Sequence, residues 1–182
     1  MRTFIELARS RRSIRAYTTR PVKRELLESC AEAARHAPSA CNSQPWKFII
    51  IDDDAVKNKM AESVFSGFHK MCSFAREASA FIVIVAEKMA LPAWIGGKLR
   101  NTDFKRIDTG IACSHIVLAA KDLGIDSCIL GWFNERKLKK ILHVPPSRKI
   151  ELVIALGYPA SDNIPERPLK DKSLTVSFNG YK

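Results

Sequence analysis

The chain has 182 residues, 46% of them hydrophobic, and a formal net charge of +11. That length and composition support one folded domain over residues 1–182 and exclude a disordered chain. No apolar run approaches the ~20 residues of a membrane span, and the N-terminus lacks an apolar stretch of signal-peptide length, so the expected location is the cytoplasm, with no membrane partner.

Residues 3–10 read as a short helix with Phe4, Ile5, Leu7 and Ala8 on one side. Arg11-Arg12-Ser13-Ile14-Arg15-Ala16-Tyr17 then reads as extended, which puts Arg11 and Arg15 on one side with Ser13 between them. Such a set of donors suits a phosphate or another anion, and equally an exposed basic turn. Lys23 to Arg35 is predicted as a helix with Leu26, Leu27, Cys30, Ala31 and Ala34 inward. Ala37 to Trp46 follows with two prolines and four short polar side chains, a held loop between helix and strand. A loop of that kind suits a flat polar ligand, although an ordinary connection has the same composition.

Lys47 to Ile51 is a buried strand ended by Asp52-Asp53-Asp54, with Asp54 as the cap of a helix from Ala55 to about Phe65. Ser66 to Glu77 is ambiguous. Ala80 to Ala86 is apolar and β-branched throughout, the mark of a central strand. Residues 89–102, with Pro92, Gly96 and Gly97, are expected to form a loop or lid with at most a helical turn. Ile107 to Leu123 is a helix apolar on nearly all sides and stopped by Gly124. His115 within it reads as a core histidine rather than a catalytic one. Asp126 to Leu130 is a strand, Asn134 caps a helix running to about Leu142, and Lys149 to Tyr158 is the last long strand. Leu174 to Phe178 alternates weakly and is expected as a short edge strand.

Cys30, Cys41, Cys72, Cys113 and Cys128 form no C-x-x-C pair. They are expected to be mostly buried free thiols, with no metal site and no disulfide framework. The positive charge is spread along the chain without a nucleic-acid motif, so no nucleic-acid partner is expected. Two concentrations stand out: Arg9, Arg11, Arg12 and Arg15, and Arg167, Lys170 and Lys172. Brought together, they would hold one phosphate group rather than a polymer. Neither G-x-G-x-x-G after a strand nor a Walker A sequence occurs.

Four pieces of the chain, in order, resemble the flavin-dependent nitroreductase family. They are Arg11 to Tyr17, Ala37 to Phe48, Asp108-Thr109-Gly110-Ile111-Ala112 leading to Leu123-Gly124-Ile125, and Leu130 to Phe133 followed by Ala155 to Pro159. The resemblance implies an α+β fold: a central mixed, mostly antiparallel sheet flanked by helices, in an intertwined homodimer with FMN at the interface. It also implies that residues 160–182 pack on the partner subunit. Arg11, Arg12, Ser13 and Arg15 would hold the phosphate and ribityl chain, with Arg15 towards the pyrimidine edge. Lys170 or Lys172 would complete the phosphate site.

By the same resemblance Pro38, Ser39, Ala40, Asn42 and Gln44 would reach the flavin bound mainly by the partner chain. Leu130 and Gly131 would offer backbone N–H groups near N5, and no side chain would be catalytic. The implied reaction is a ping-pong transfer from NADH or NADPH through FMN N5 to a nitroaromatic, quinone or similar flat acceptor. Two alternatives belong with it: a flavoenzyme with a dedicated substrate, such as a reductive dehalogenase, and a redox-sensing flavin binder with little turnover. Two departures from the pattern are visible. Met71, Cys72 and Phe74 stand where larger members carry polar flavin contacts, and the inserted roofing segments are reduced, leaving 65–74 or 91–101 as the lid.

Overall fold

The computed structural model describes residues 3–181. Its centre is a four-stranded sheet of β1 (Trp46–Ile51), β2 (Ala80–Ala86), β3 (Asp126–Leu130) and β4 (Lys149–Gly157), in the order β1-β2-β4-β3. All three pairings are antiparallel. The parallel component expected of a mixed sheet is confined to one isolated bridge, Ser13 to Ser127. The reason is local: the extended Arg11–Tyr17 segment runs beside the end of β3 without joining the sheet as a strand.

Every residue of β2 is buried, as its unbroken apolar run requires. Successive side chains alternate between two cores. Phe81, Val83 and Val85 enter one core with Met60, Phe65, Leu130 and Leu138. Ile82 and Ile84 enter the other with Leu27, Cys30, Cys113, Ile116 and Ile154. The first core lies under α3 (Asp54–Ser63), a 3-10 segment Gly67–Glu77 and α6 (Glu135–Ile141). The second lies under α2 (Arg24–Arg35) and α5 (Phe104–Asp122). Helix α1 (Phe4–Ser10) buries none of its residues, although its Thr3 and Glu6 form a full capping box.

Several boundaries differ from the sequence reading. Asp53, not Asp54, caps α3, by accepting the Val56 N–H at 2.9 Å. Residues expected as a loop form a ten-residue helix, α4 (Leu91–Arg100). Pro92 is tolerated because it sits in the first turn, where no intrahelical N–H is required. Helix α5 starts at Phe104, before Ile107, because Asp103 caps it through the Arg106 N–H. The expected edge strand at 174–178 is absent: a 3-10 turn, Lys172–Leu174, is followed by irregular chain. Among the described residues no helix is long and apolar enough to cross a membrane.

Candidate functional site

The Arg11–Tyr17 segment is pinned by backbone and by side chains. Ile14 N–H donates to Ser127 O at 3.0 Å, Thr18 N–H to Tyr158 O at 2.9 Å, and Ala160 N–H to Ala16 O at 3.0 Å. Ile14 and Tyr17 are buried, and the Tyr17 hydroxyl donates to Ile14 O at 2.9 Å. Burial pushes the Tyr17 phenol far above its ordinary pKa, so it stays neutral. Gly157 makes this packing possible: a Cβ there would lie 2.7 Å from Tyr17 Cδ1. Anchoring the two apolar side chains leaves the basic ones outside.

Those basic side chains line a cleft of about 600 Å³. Its walls are Arg11, Arg12, Ser13 and Arg15, then Gly110, Ser114 and Val117 of α5, Ile129 of β3, and Ile164, Pro165, Arg167 and Pro168 of the C-terminal segment. Partial burial, then Arg167, then Arg12 lower the proton affinity of Arg11. No carboxylate lies within ion-pair distance of Arg11, Arg12, Arg15 or Arg167 among the described residues, so the charge is uncompensated. Asp126, which attracts Arg11 from a distance, is already paired with Lys121 at 2.9 Å. Guanidinium groups gathered without a counterion suit a phosphate, and the isoleucine and proline walls suit a flat ring system. The residues present therefore fit FMN.

The C-terminal basic residue in the cleft is Arg167. Lys170 and Lys172, the sequence candidates, are not among its walls. Beyond Pro168, Lys172 enters the 3-10 turn Lys172–Leu174. Sequence spacing alone did not separate three basic residues within six positions. Gly110 and Ser114 carried a readable signal, small residues one turn apart on α5.

Leu130 is buried in the α6-side core and Gly131 is exposed in the turn after β3. Neither lines the cleft; Ile129, 42% exposed, is the wall that this strand provides. The next turn holds Trp132, whose Nε1–H donates to Phe68 O at 2.9 Å. That bond ties down the 67–77 segment, and Phe74 lies with its ring centroid 5.9 Å from the Arg15 guanidinium carbon. Burial raises the pKa of the Cys72 and Cys128 thiols despite nearby Arg15, so both are neutral packing groups.

The Pro38–Gln44 loop lies elsewhere. Ala40 N–H donates to the buried Asp108 carboxylate at 3.1 Å. Ser39 Oγ accepts the Gln44 N–H at 2.9 Å, Asn42 Oδ1 accepts from Gln44 Nε2 at 3.0 Å, and Ser43 Oγ accepts the Ala90 N–H at 3.2 Å. These bonds hold Cys41, Asn42 and Gln44 at φ of 50°, 50° and 45°. Left-handed backbone at non-glycine residues persists only where surroundings fix it, and such positions concentrate at functional sites. None of the loop residues lines the arginine cleft. Helix α5 separates the two: at ~100° per residue, Asp108 points about half a turn away from Gly110, Ser114 and Val117. Within α5, His115 Nδ1–H donates to Ile111 O at 2.9 Å, which fits a structural histidine.

Comparison with known proteins identifies the family. A family model described as the nitroreductase family matches residues 8–158. An Archaeoglobus fulgidus protein, provisionally named NADH dehydrogenase/NAD(P)H nitroreductase, is 32% identical over 170 residues, covering 89% of this chain and 88% of that one. An iodotyrosine deiodinase from Haliscomenobacter hydrossis is 25% identical over 187 residues, covering 91% and 84%. The solved structure of an FMN-dependent nitroreductase from Clostridium difficile superposes with a TM-score of 0.75 at 27% identity, over 98% of this chain and 100% of that one. The matched stretch runs from α1 to the end of β4 and contains the arginine segment, the strained loop and α5, and the chain belongs to the nitroreductase family.

Proposed function

We propose that the protein is an FMN-dependent oxidoreductase that takes electrons from NADH or NADPH and delivers them to a nitroaromatic, quinone or similar flat acceptor. It works as a homodimer with FMN at the interface. The carrying observation is the division of the site by α5. The uncompensated arginines lie on one face, and the strained loop is fastened to the other. One chain cannot close both around one ligand; two chains related by a two-fold axis can. Exposed apolar side chains support the same reading, with Phe4 at 68% on α1 and Leu169 and Phe178 at 78% and 77% on the C-terminal segment. In the dimer, that segment packs on the partner.

Bound FMN supplies the hydride-accepting and hydride-donating N5 atom. The chain's own residues bind and tune. Arg11, Arg12, Ser13 and Arg167 hold the phosphate end. Arg15, braced against Phe74, places positive charge at the pyrimidine edge, where it stabilises the reduced, more negative flavin. Pro38, Ser39, Ala40, Asn42 and Gln44 form the wall contributed by the other chain.

Anaerobic addition of NADH or NADPH to the yellow, FMN-loaded protein tests the reading. Bleaching followed by reoxidation with a quinone or nitroaromatic is the expected result. Protein that takes up no FMN, or that holds FMN as a monomer in light scattering, contradicts it. A second reading, reduction of one dedicated halogenated aromatic, draws on the likeness to the Haliscomenobacter hydrossis iodotyrosine deiodinase. Release of halide from an iodinated phenol would favour it.

A further inference from the structure

A second cleft lies between α4 and the start of α5. It holds about 380 Å³, within the ~300–1,000 Å³ range of small-molecule pockets. Trp94, 53% exposed, lines it together with Lys98, Asn101, Phe104 and Lys105. Gly97 lets its floor close. Thr102 N–H donates to Gly97 O at 2.8 Å, and a Cβ on Gly97 would meet Thr102 O at 2.8 Å and Phe104 Cδ2 at 3.3 Å.

The charge in this cleft is unbalanced. Asp103 is its acidic residue, and that carboxylate is already engaged: it caps α5 through the Arg106 N–H and pairs with Arg106 Nε at 3.3 Å. Lys98 and Lys105 have no carboxylate within ion-pair distance among the described residues. Lys98 Nζ lies 6.0 Å from the Trp94 ring centroid. An aromatic wall and two uncompensated ammonium groups therefore share one cavity.

The cleft is also built onto the strained loop. Ala90, the N-cap of α4, donates to Ser43 Oγ, and Asp108 in the second turn of α5 accepts from Ala40. In the proposed dimer that loop meets the partner's flavin, so a ligand held in the neighbouring cleft would lie close to that flavin. We propose that the cleft binds the acceptor and selects aromatic rings that carry an anionic group, a carboxylate above all. The ring lies against Trp94 and the anion pairs with Lys98 and Lys105. This inference rests on the flavin reading and narrows its substrate class, whether the group reduced is nitro, quinone or carbon–halogen.

The test compares 3-nitrobenzoate with its neutral counterpart 3-nitrobenzamide on the FMN-loaded protein and on a Lys98→Ala/Lys105→Ala variant. Binding is read by calorimetry and turnover as kcat/KM. The wild type is expected to favour the benzoate by about tenfold or more in both readouts, since a charged hydrogen bond contributes ~1.5–3 kcal/mol. The variant is expected to lose that preference while keeping its FMN content and its rate of reduction by NADH. Equal affinities in the wild type, or a preference that survives in the variant, would overturn the assignment. A variant that loses reduction by NADH in step would also overturn it, by assigning the lysines to the donor. Protein that takes up no FMN refutes the flavin reading separately, and the calorimetric comparison still decides what the cleft binds.

Discussion

Asp108 and Ala40 join the long central helix to the strained loop: the Ala40 N–H donates to a carboxylate that is only 3% exposed, at 3.1 Å. Burial raises the Asp108 pKa above the ordinary aspartate value, and the Ala40 amide offsets part of that rise. A raised folded-state pKa means that the folded protein disfavours the charged form. The contribution of this group to stability is full below the ordinary aspartate value and is lost as pH rises through the raised folded value. Asp108→Asn keeps an acceptor oxygen without the charge. The melting-temperature difference between this variant and wild type is expected to grow in the variant's favour as pH rises from about 4 to about 7. A flat difference would show that the carboxylate is not held in the raised state.

Removing Arg167 is expected to weaken FMN binding by about tenfold or more, the effect of one charge-assisted contact to phosphate. Lys170→Ala and Lys172→Ala are expected to stay within about twofold of wild type, as exposed lysines outside the cleft. Fluorescence titration of the apoprotein with FMN separates the three. The double variant Arg11→Ala/Arg15→Ala is expected to purify largely without flavin, read from its absorbance.

Gly157→Ala puts a methyl group where Tyr17 Cδ1 lies 2.7 Å away and Cγ 3.3 Å away. The ring has a buried hydroxyl bond to Ile14 O and cannot swing clear without breaking it. A loss of about 1–3 kcal/mol in urea unfolding is expected. FMN affinity should fall with it, because displacing Tyr17 shifts the segment that carries Arg11 to Arg15. Wild-type affinity in a destabilised variant would show that the segment is held independently of Tyr17.

The Lys121–Asp126 pair is largely buried, with side chains 18% and 7% exposed. Asp126→Ala leaves the ammonium group without its partner, and a loss of about 3 kcal/mol or more is expected by chemical denaturation. A change under about 1 kcal/mol would show that Lys121 reaches water once released.

The sequence made the sheet legible wherever burial on both faces forced a continuous apolar run, as in β2, and wherever a cap was unambiguous, as at Asn134. It was misleading at 91–100, where Pro92 and two glycines suggest a loop. There, proline in the first turn is harmless, and Gly97 exists because Thr102 and Phe104 pack against it, a tertiary requirement with no local signature. The arginine segment was readable from its alternation around Ile14. Its C-terminal complement was not, because only the path of the chain distinguishes Arg167 from its basic neighbours. The mate of the loop was hidden for the same reason: hydrogen bonding to Asp108 depends on how α5 crosses α2.

The division of the site by α5 has a genetic consequence. In the proposed dimer, a chain without its arginines and a chain with a ruined loop would each be inactive when paired with itself. Mixed within one cell, they can pair so that one of the two pockets receives intact arginines from one parent and an intact loop from the other. Two defective alleles would then restore part of the activity between them, and the second pocket of the same molecule would carry both defects.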